Sequence, residues 1–439
     1  MERQYGKRSI RCLATVFLCL LLGGCSPPWE EADLSSISMP AEVVQTGQET
    51  MEGTTVDVYW DATYSMQGYT TLASGNVYRT LPDQLGDIGD SMGEVRFFRF
   101  GAEVTPMDGR EYRQFSTPAA YTELITAVHN AVENADENHL SVIVTDLFES
   151  DADWSNVTKK LKDKYFSKHM SVAIIGIKNS FYGDIFDVGL NAAKFSYNSY
   201  DDPARFRPFY LFIMGPDRKV KEFMELWKER QTAPNETQYL LLSENLTEST
   251  NDFSQLVILE GSENLYENEA LGIRDKSVKE FGIDNQGDPV TLAVSFDYKP
   301  LFGTCPLDMN SLKTAIQVYS LTEEKTWEEV DREDDATVEM GADPGQPGRY
   351  QLTLRFTPER TLAPGRINFL HVSVKPDAKG YRLPDWVKAW NMPNVDVAPD
   401  QFDGSKTVNF FHVVESLKSS ALAAAHPSLV NMNLIIDER

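Results

Sequence analysis

The chain has 439 residues, with 41 Lys+Arg against 66 Asp+Glu, a formal net charge of -25 and four cysteines. That length suffices for two or three domains with real cores, and a chain that is 41% hydrophobic and 24% charged is not a disordered one. The acidic excess excludes nucleic acid as a partner, because no run of Lys and Arg forms the basic surface that displaces counterions.

At the start of the chain, a basic stretch over residues 1–11 precedes the apolar run Cys12 to Leu22 and then Gly23-Gly24-Cys25. This pattern predicts a secretory signal, shorter than the roughly 20 residues of a spanning helix. Leu22-Gly23-Gly24-Cys25 resembles a bacterial lipobox. The resemblance implies a signal peptide over 1–24, lipidation of Cys25 and attachment to the extracytoplasmic face of a membrane, the outer one where there are two. Cys12 and Cys19 would leave with the signal, so Cys305 would be the one free thiol and no disulfide could form. Removing four basic residues and one acid leaves -28. Residues 25–53, rich in Pro, Ser, Glu and Thr, read as a flexible tether.

Strands and helices then alternate. Strands are predicted over 55–61, 94–100, 140–146, 171–177 and 209–214, and helices over 77–90, 122–135, 155–165 and 219–230. Short apolar strands alternating with amphipathic helices predict an α/β fold, a doubly wound and mainly parallel sheet, over 54–232. From about Ala233 the pattern becomes alternating strands, at 290–298, 315–320, 349–356 and 367–374. They predict a β-sandwich domain over 233–439, resembling the immunoglobulin-like architecture, with 350–356 and 367–374 as its last hairpin across Pro364-Gly365. A helical insertion near 384–420 precedes a last strand at 429–436, which is expected to return to the sandwich.

The chemistry sits directly after the first strand, in Asp61-Ala62-Thr63-Tyr64-Ser65. Oxygen-bearing side chains at i, i+2 and i+4 of a turn can converge on a hard cation, Mg²⁺, Mn²⁺ or Ca²⁺. The same pattern can also be a plain Asx or Ser/Thr turn. Two further oxygens have suitable positions. Thr122 opens a predicted helix, and Asp146 ends a buried strand, at the carboxyl edge where ligands gather in open α/β sheets.

These residues resemble, in order, the metal-ion-dependent adhesion site of von Willebrand factor type A domains: Asp61, Thr63 and Ser65, then Thr122, then Asp146. The likeness covers 54–232, and Thr117 is a weaker choice for the central hydroxyl. It implies a divalent cation, Mg²⁺ first, and a protein ligand that completes the ion's shell with a carboxylate. Thr63 replaces the usual Ser, while Tyr121 and Leu147 stand where the family often has Gly, which would crowd the loops. With so acidic a surface, short-range coordination would have to supply the affinity for an acidic partner.

Other signals have simpler readings. Gly89-Asp90-Ser91-Met92-Gly93 lies between helix and strand, the wrong order for a nucleophile elbow. Asp403 and Ser405 suit helix capping, and Trp386 with Trp390 suits a core better than a sugar platform. The six histidines have no metal spacing, and acidic Glu323-Glu324 and 331–335 read as solvated loops. The sequence therefore points to a non-enzymatic, lipid-anchored binding protein. A metal-independent structural or assembly subunit of an envelope complex is the alternative, and a metal-dependent hydrolase fits less well for want of a general base.

Overall fold

The computed structural model describes residues 53–438 apart from 73–75, 148–153, 190, 232–236, 244–255, 269–277, 298–301, 303–310, 331–335, 377–380 and 426–428. Cys25, Cys305, the tether and the acidic run 331–335 lie outside the described residues.

The first half is built on β1 (Thr54–Asp61), β2 (Gly93–Phe100), β3 (Val104–Met107), β4 (Leu140–Thr145), β5 (Ser171–Asn179), the hairpin β6 (Tyr182–Val188) and β7 (Ala193–Asn198), β8 (Arg207–Gly215) and β9 (Thr237–Leu242). Seven of these strands form one sheet in the order β3-β2-β1-β4-β8-β5-β9. Its helices are α1 (Leu81–Met92), α2 (Val128–Asn134), α3 (Trp154–Lys164) and α4 (Asp217–Arg230). Alternate residues of β1 enter different cores. Val56, Val58 and Trp60 pack with Leu85 and Ile88 of α1 and Phe223 of α4, while Tyr59 packs with Val132 of α2 and Leu161 of α3. Helices thus cover both faces, as apolar strands require.

The mixed α/β class holds, but the expectation of a mainly parallel sheet is corrected. β1 runs parallel to β2 and to β4, whereas β8 lies antiparallel between β4 and β5, and β3 and β9 pair antiparallel at the edges. The cause is the connection. Between β5 and β8 the chain makes the hairpin β6–β7 instead of a helix, so no crossover returns it to the opposite edge and β8 must run backwards.

The second half has a four-stranded sheet in the order Val257–Ile258, Val290–Phe296, Tyr350–Phe356, Thr337–Ala342. Its six-stranded sheet has the order Leu265–Glu267, Val278–Ile283, Val430–Asp437, Ile367–Pro376, Leu312–Leu321, Trp327–Glu329. The expected hairpin between 350–356 and 367–374 does not form, because these strands belong to different sheets. The helical turn Pro358–Thr361 interrupts pairing and carries the chain across. Leu352 and Leu354 of one sheet and Leu370 and Leu434 of the other then share a core. The last strand pairs with Ile367–Pro376, as expected.

Between those two strands lie a short helix, Asp385–Ala389, and the longer α5 (Phe410–Ala425). They pack on the first half. Phe410 stacks on Tyr210 of β8 at 4.7 Å. The Trp390 ring lies over Gly176 of β5, where a Cβ would come within 2.7 Å of it. Trp386 donates its indole N–H to the Tyr239 carbonyl at 3.3 Å and meets Trp390 edge-on. Both tryptophans therefore serve packing.

Candidate metal centre

β1 and β4 are parallel neighbours, so Asp61 at the end of one and Asp146 just past the other reach the same edge. Past Asp61 the chain stays extended at Thr63 and enters the single helical turn Tyr64–Gln67. Asp61 shapes this turn by accepting from Thr63 twice, from its backbone N–H at 3.1 Å and its hydroxyl at 2.6 Å. The other Asp61 oxygen accepts from Thr145 at 3.0 Å. Thr63 and Ser65 hydroxyls lie 3.0 Å apart, and Ser65 donates to Asp146 at 3.4 Å.

Four of the five expected residues therefore meet. Thr122 does not: it is exposed, and its hydroxyl accepts from Arg99 at 3.1 Å. Thr117 is also exposed and turns back to the Gln114 carbonyl. The further hydroxyl that reaches this cluster is that of Thr126, buried and donating to Thr63 at 3.3 Å. The backbone explains this placement. Thr122 and Glu123 both donate N–H to the Ala62 carbonyl, and Tyr64 donates to that of Glu123, so an isolated parallel bridge between Thr63 and Glu123 ties down the segment. Helix α2 consequently starts at Val128 and not at 122. The β-branched pair Ile125-Thr126 was the available signal for extended backbone. Thr126→Ala should therefore weaken any cation binding at least tenfold and Thr122→Ala should leave it unchanged, as read by titration calorimetry.

Leu147, directly after Asp146, adopts φ 66°, the left-handed region that a side chain makes costly. It is buried, and its N–H donates to Thr145 at 3.2 Å. A bulky residue held there shows that the loop requires this conformation, which glycine adopts freely.

Asp61 is fully buried, and burial first, then the nearby charge of Asp146, pushes its pKa up to about 7 against the hydrogen bonds from Thr63 and Thr145. One positive group approaches: the buried guanidinium of Arg207 stands 3.7 Å from Asp146. In the sequence Arg207-Pro208 precedes the apolar run 209–214, so nothing local marks the arginine, although β8 begins with it. Two carboxylates and three hydroxyls are donors for a hard cation, and the raised Asp61 pKa marks a site short of positive charge. On both counts the residues fit the ion. Among the described residues no group of three or more His, Cys, Asp and Glu side chains could hold a metal, so this set depends on its hydroxyls.

No family model matches the chain, and no curated protein matches it. Among the described residues no helix is long and apolar enough to cross a membrane.

Proposed function

We propose that this chain is a lipid-anchored, surface-exposed binding protein whose first half, of the von Willebrand factor type A kind, recognises a protein partner through a divalent cation. The convergence of Asp61, Thr63, Ser65, Thr126 and Asp146 at one sheet edge carries this reading. These residues would hold Mg²⁺ or a similar ion, whose charge would attract a carboxylate from the partner. The rim supports it as well. Tyr64 lies between two donors, and Leu124 and Ile125 immediately precede the third; all three are exposed, Leu124 at 82%. Folding gives no reason for such apolar exposure, whereas a docking partner does. The β-rich second half then serves as a companion domain, a β-sandwich packed against the first, while the N-terminal tether sets the first half off from the membrane.

One observation favours the second reading, a metal-independent structural subunit of an envelope complex. Arg207 supplies a resident positive charge beside Asp146, and the hydroxyls already bond the carboxylates.

Calorimetric titration of Mg²⁺ and Mn²⁺ into the full chain separates the two. Binding at millimolar metal or below, lost in Asp61→Ala and in Asp146→Ala, is the expected result. A wild-type chain that takes up neither ion would leave the scaffold reading.

A further inference from the structure

We propose that Arg207 is a positioning residue that makes segment 403–408 of the second half part of this site. Its side chain is only 4% exposed, and a guanidinium so buried must find acceptors. Nη1 donates to the carbonyls of Gly404 at 3.3 Å and Lys406 at 3.0 Å. The guanidinium lies 5.5 Å from the centre of the Phe181 ring, and among the described residues Nε has no hydrogen-bond acceptor. Nη2 approaches Asp146 Oδ2 no closer than 3.7 Å, an ion pair beyond hydrogen-bond range. The segment's two carbonyls thus hold the charge back from the carboxylate.

The segment is itself firmly placed. Asp403 accepts from the Ser405 hydroxyl at 2.6 Å and its N–H at 3.2 Å, an Asx turn where sequence suggested a helix cap. The Tyr210 hydroxyl donates to Thr407 Oγ1 at 2.9 Å, and the Thr407 N–H donates to the Trp390 carbonyl at 2.9 Å. Gly404 lies against the Tyr197 ring, where a Cβ would be 2.3 Å from the nearest ring carbon. Displacing the segment would take two acceptors from Arg207 and leave Asp146 to receive it, in competition with a cation. Neutralising Asp146 would remove that alternative acceptor and leave the buried charge to the two carbonyls and the Tyr69 hydroxyl, so the segment would be held more firmly. By reciprocity, the site and the segment influence each other to the same extent.

The test has one arm without metal and one that rests on the proposed cation binding. In hydrogen exchange of the full chain without divalent cation, Asp146→Asn should slow exchange of the 403–410 amides about tenfold, and Thr122→Ala should leave it unchanged. In calorimetry, Gly404→Ala should weaken Mn²⁺ binding about fivefold although it alters no donor. Thr407→Val, a milder change that removes the Tyr210 hydrogen bond of the same segment, should act in the same direction, and Arg207→Gln should tighten binding. Unchanged exchange in Asp146→Asn overturns the proposal, and so does wild-type affinity in both segment variants. If the wild-type chain binds no Mn²⁺ while Asp146→Asn still slows exchange in 403–410, the binding reading fails and the coupling stands.

Discussion

Asp61→Asn is expected to make the cation-free protein more stable at pH 8 and, on the proposed reading, to abolish divalent-ion binding. Asp61 ionises near 7 in the folded chain, against 3.8 for an ordinary aspartate, because it is buried and faces Asp146. Keeping it charged at pH 8 costs on the order of 4 kcal/mol. Asn carries none of that cost, but it turns an amide N–H toward the Thr145 hydroxyl, which now donates to the carboxylate at 3.0 Å and accepts from Leu147. A net gain of about 2 kcal/mol is expected after that mismatch.

The pH dependence has a definite sign. Between pH 3.8 and 7 the folded chain keeps a proton that the unfolded chain has lost. The stability due to this group is therefore complete below pH 4, falls as pH rises and levels off above 7. Denaturant unfolding in a chelator should show the wild type losing about 2 kcal/mol, relative to Asp61→Asn, between pH 5.5 and 8. Equal slopes for the two proteins would mean that Asp61 ionises normally. On the proposed reading a cation must displace this proton, so its affinity should fall about tenfold per pH unit below 7.

The parts of this site that were legible in sequence are those fixed by neighbours in the chain. Asp61, Thr63 and Ser65 follow one apolar strand and Asp146 follows another, and parallel pairing of those strands brings them together. Thr126 was not legible, because its place depends on the backbone pairing of 122–123 with Ala62 across some sixty residues. Apolar residues at 124, 127, 128 and 131 look helical, but that pairing holds residues 122–123 just before them extended. The direction of β8 was hidden for a related reason. It follows from the hairpin β6–β7, whose first strand mixes Gly and Asp with apolar residues and lacks alternation. Arg207 shows the same limit: its partners Gly404 and Lys406 lie almost 200 residues away, and no local pattern announces such contacts.

Phe410→Ala should destabilise both halves of the chain together. Phe410 opens α5, is fully buried, and packs on Tyr210 at 4.7 Å and on Trp386 at 5.5 Å. It belongs to a core that runs without a break from Ile143 and Phe212 of the first sheet, through Val413 and Leu417 of α5, to Leu370 and Leu434 of the second half. Truncating a buried Phe to Ala costs about 3–5 kcal/mol, since the cavity left by the ring only partly closes. Were the halves independent, the loss would stay local to α5. A shared core makes it global, and a single denaturant transition with a lower midpoint is expected, with hydrogen exchange rising in β4 and β5 as well as in α5. Exchange that rises only beyond residue 380 would show that the insertion merely rests on the first half. The result also bears on Arg207, for its two carbonyl partners stay in place only while this contact surface holds.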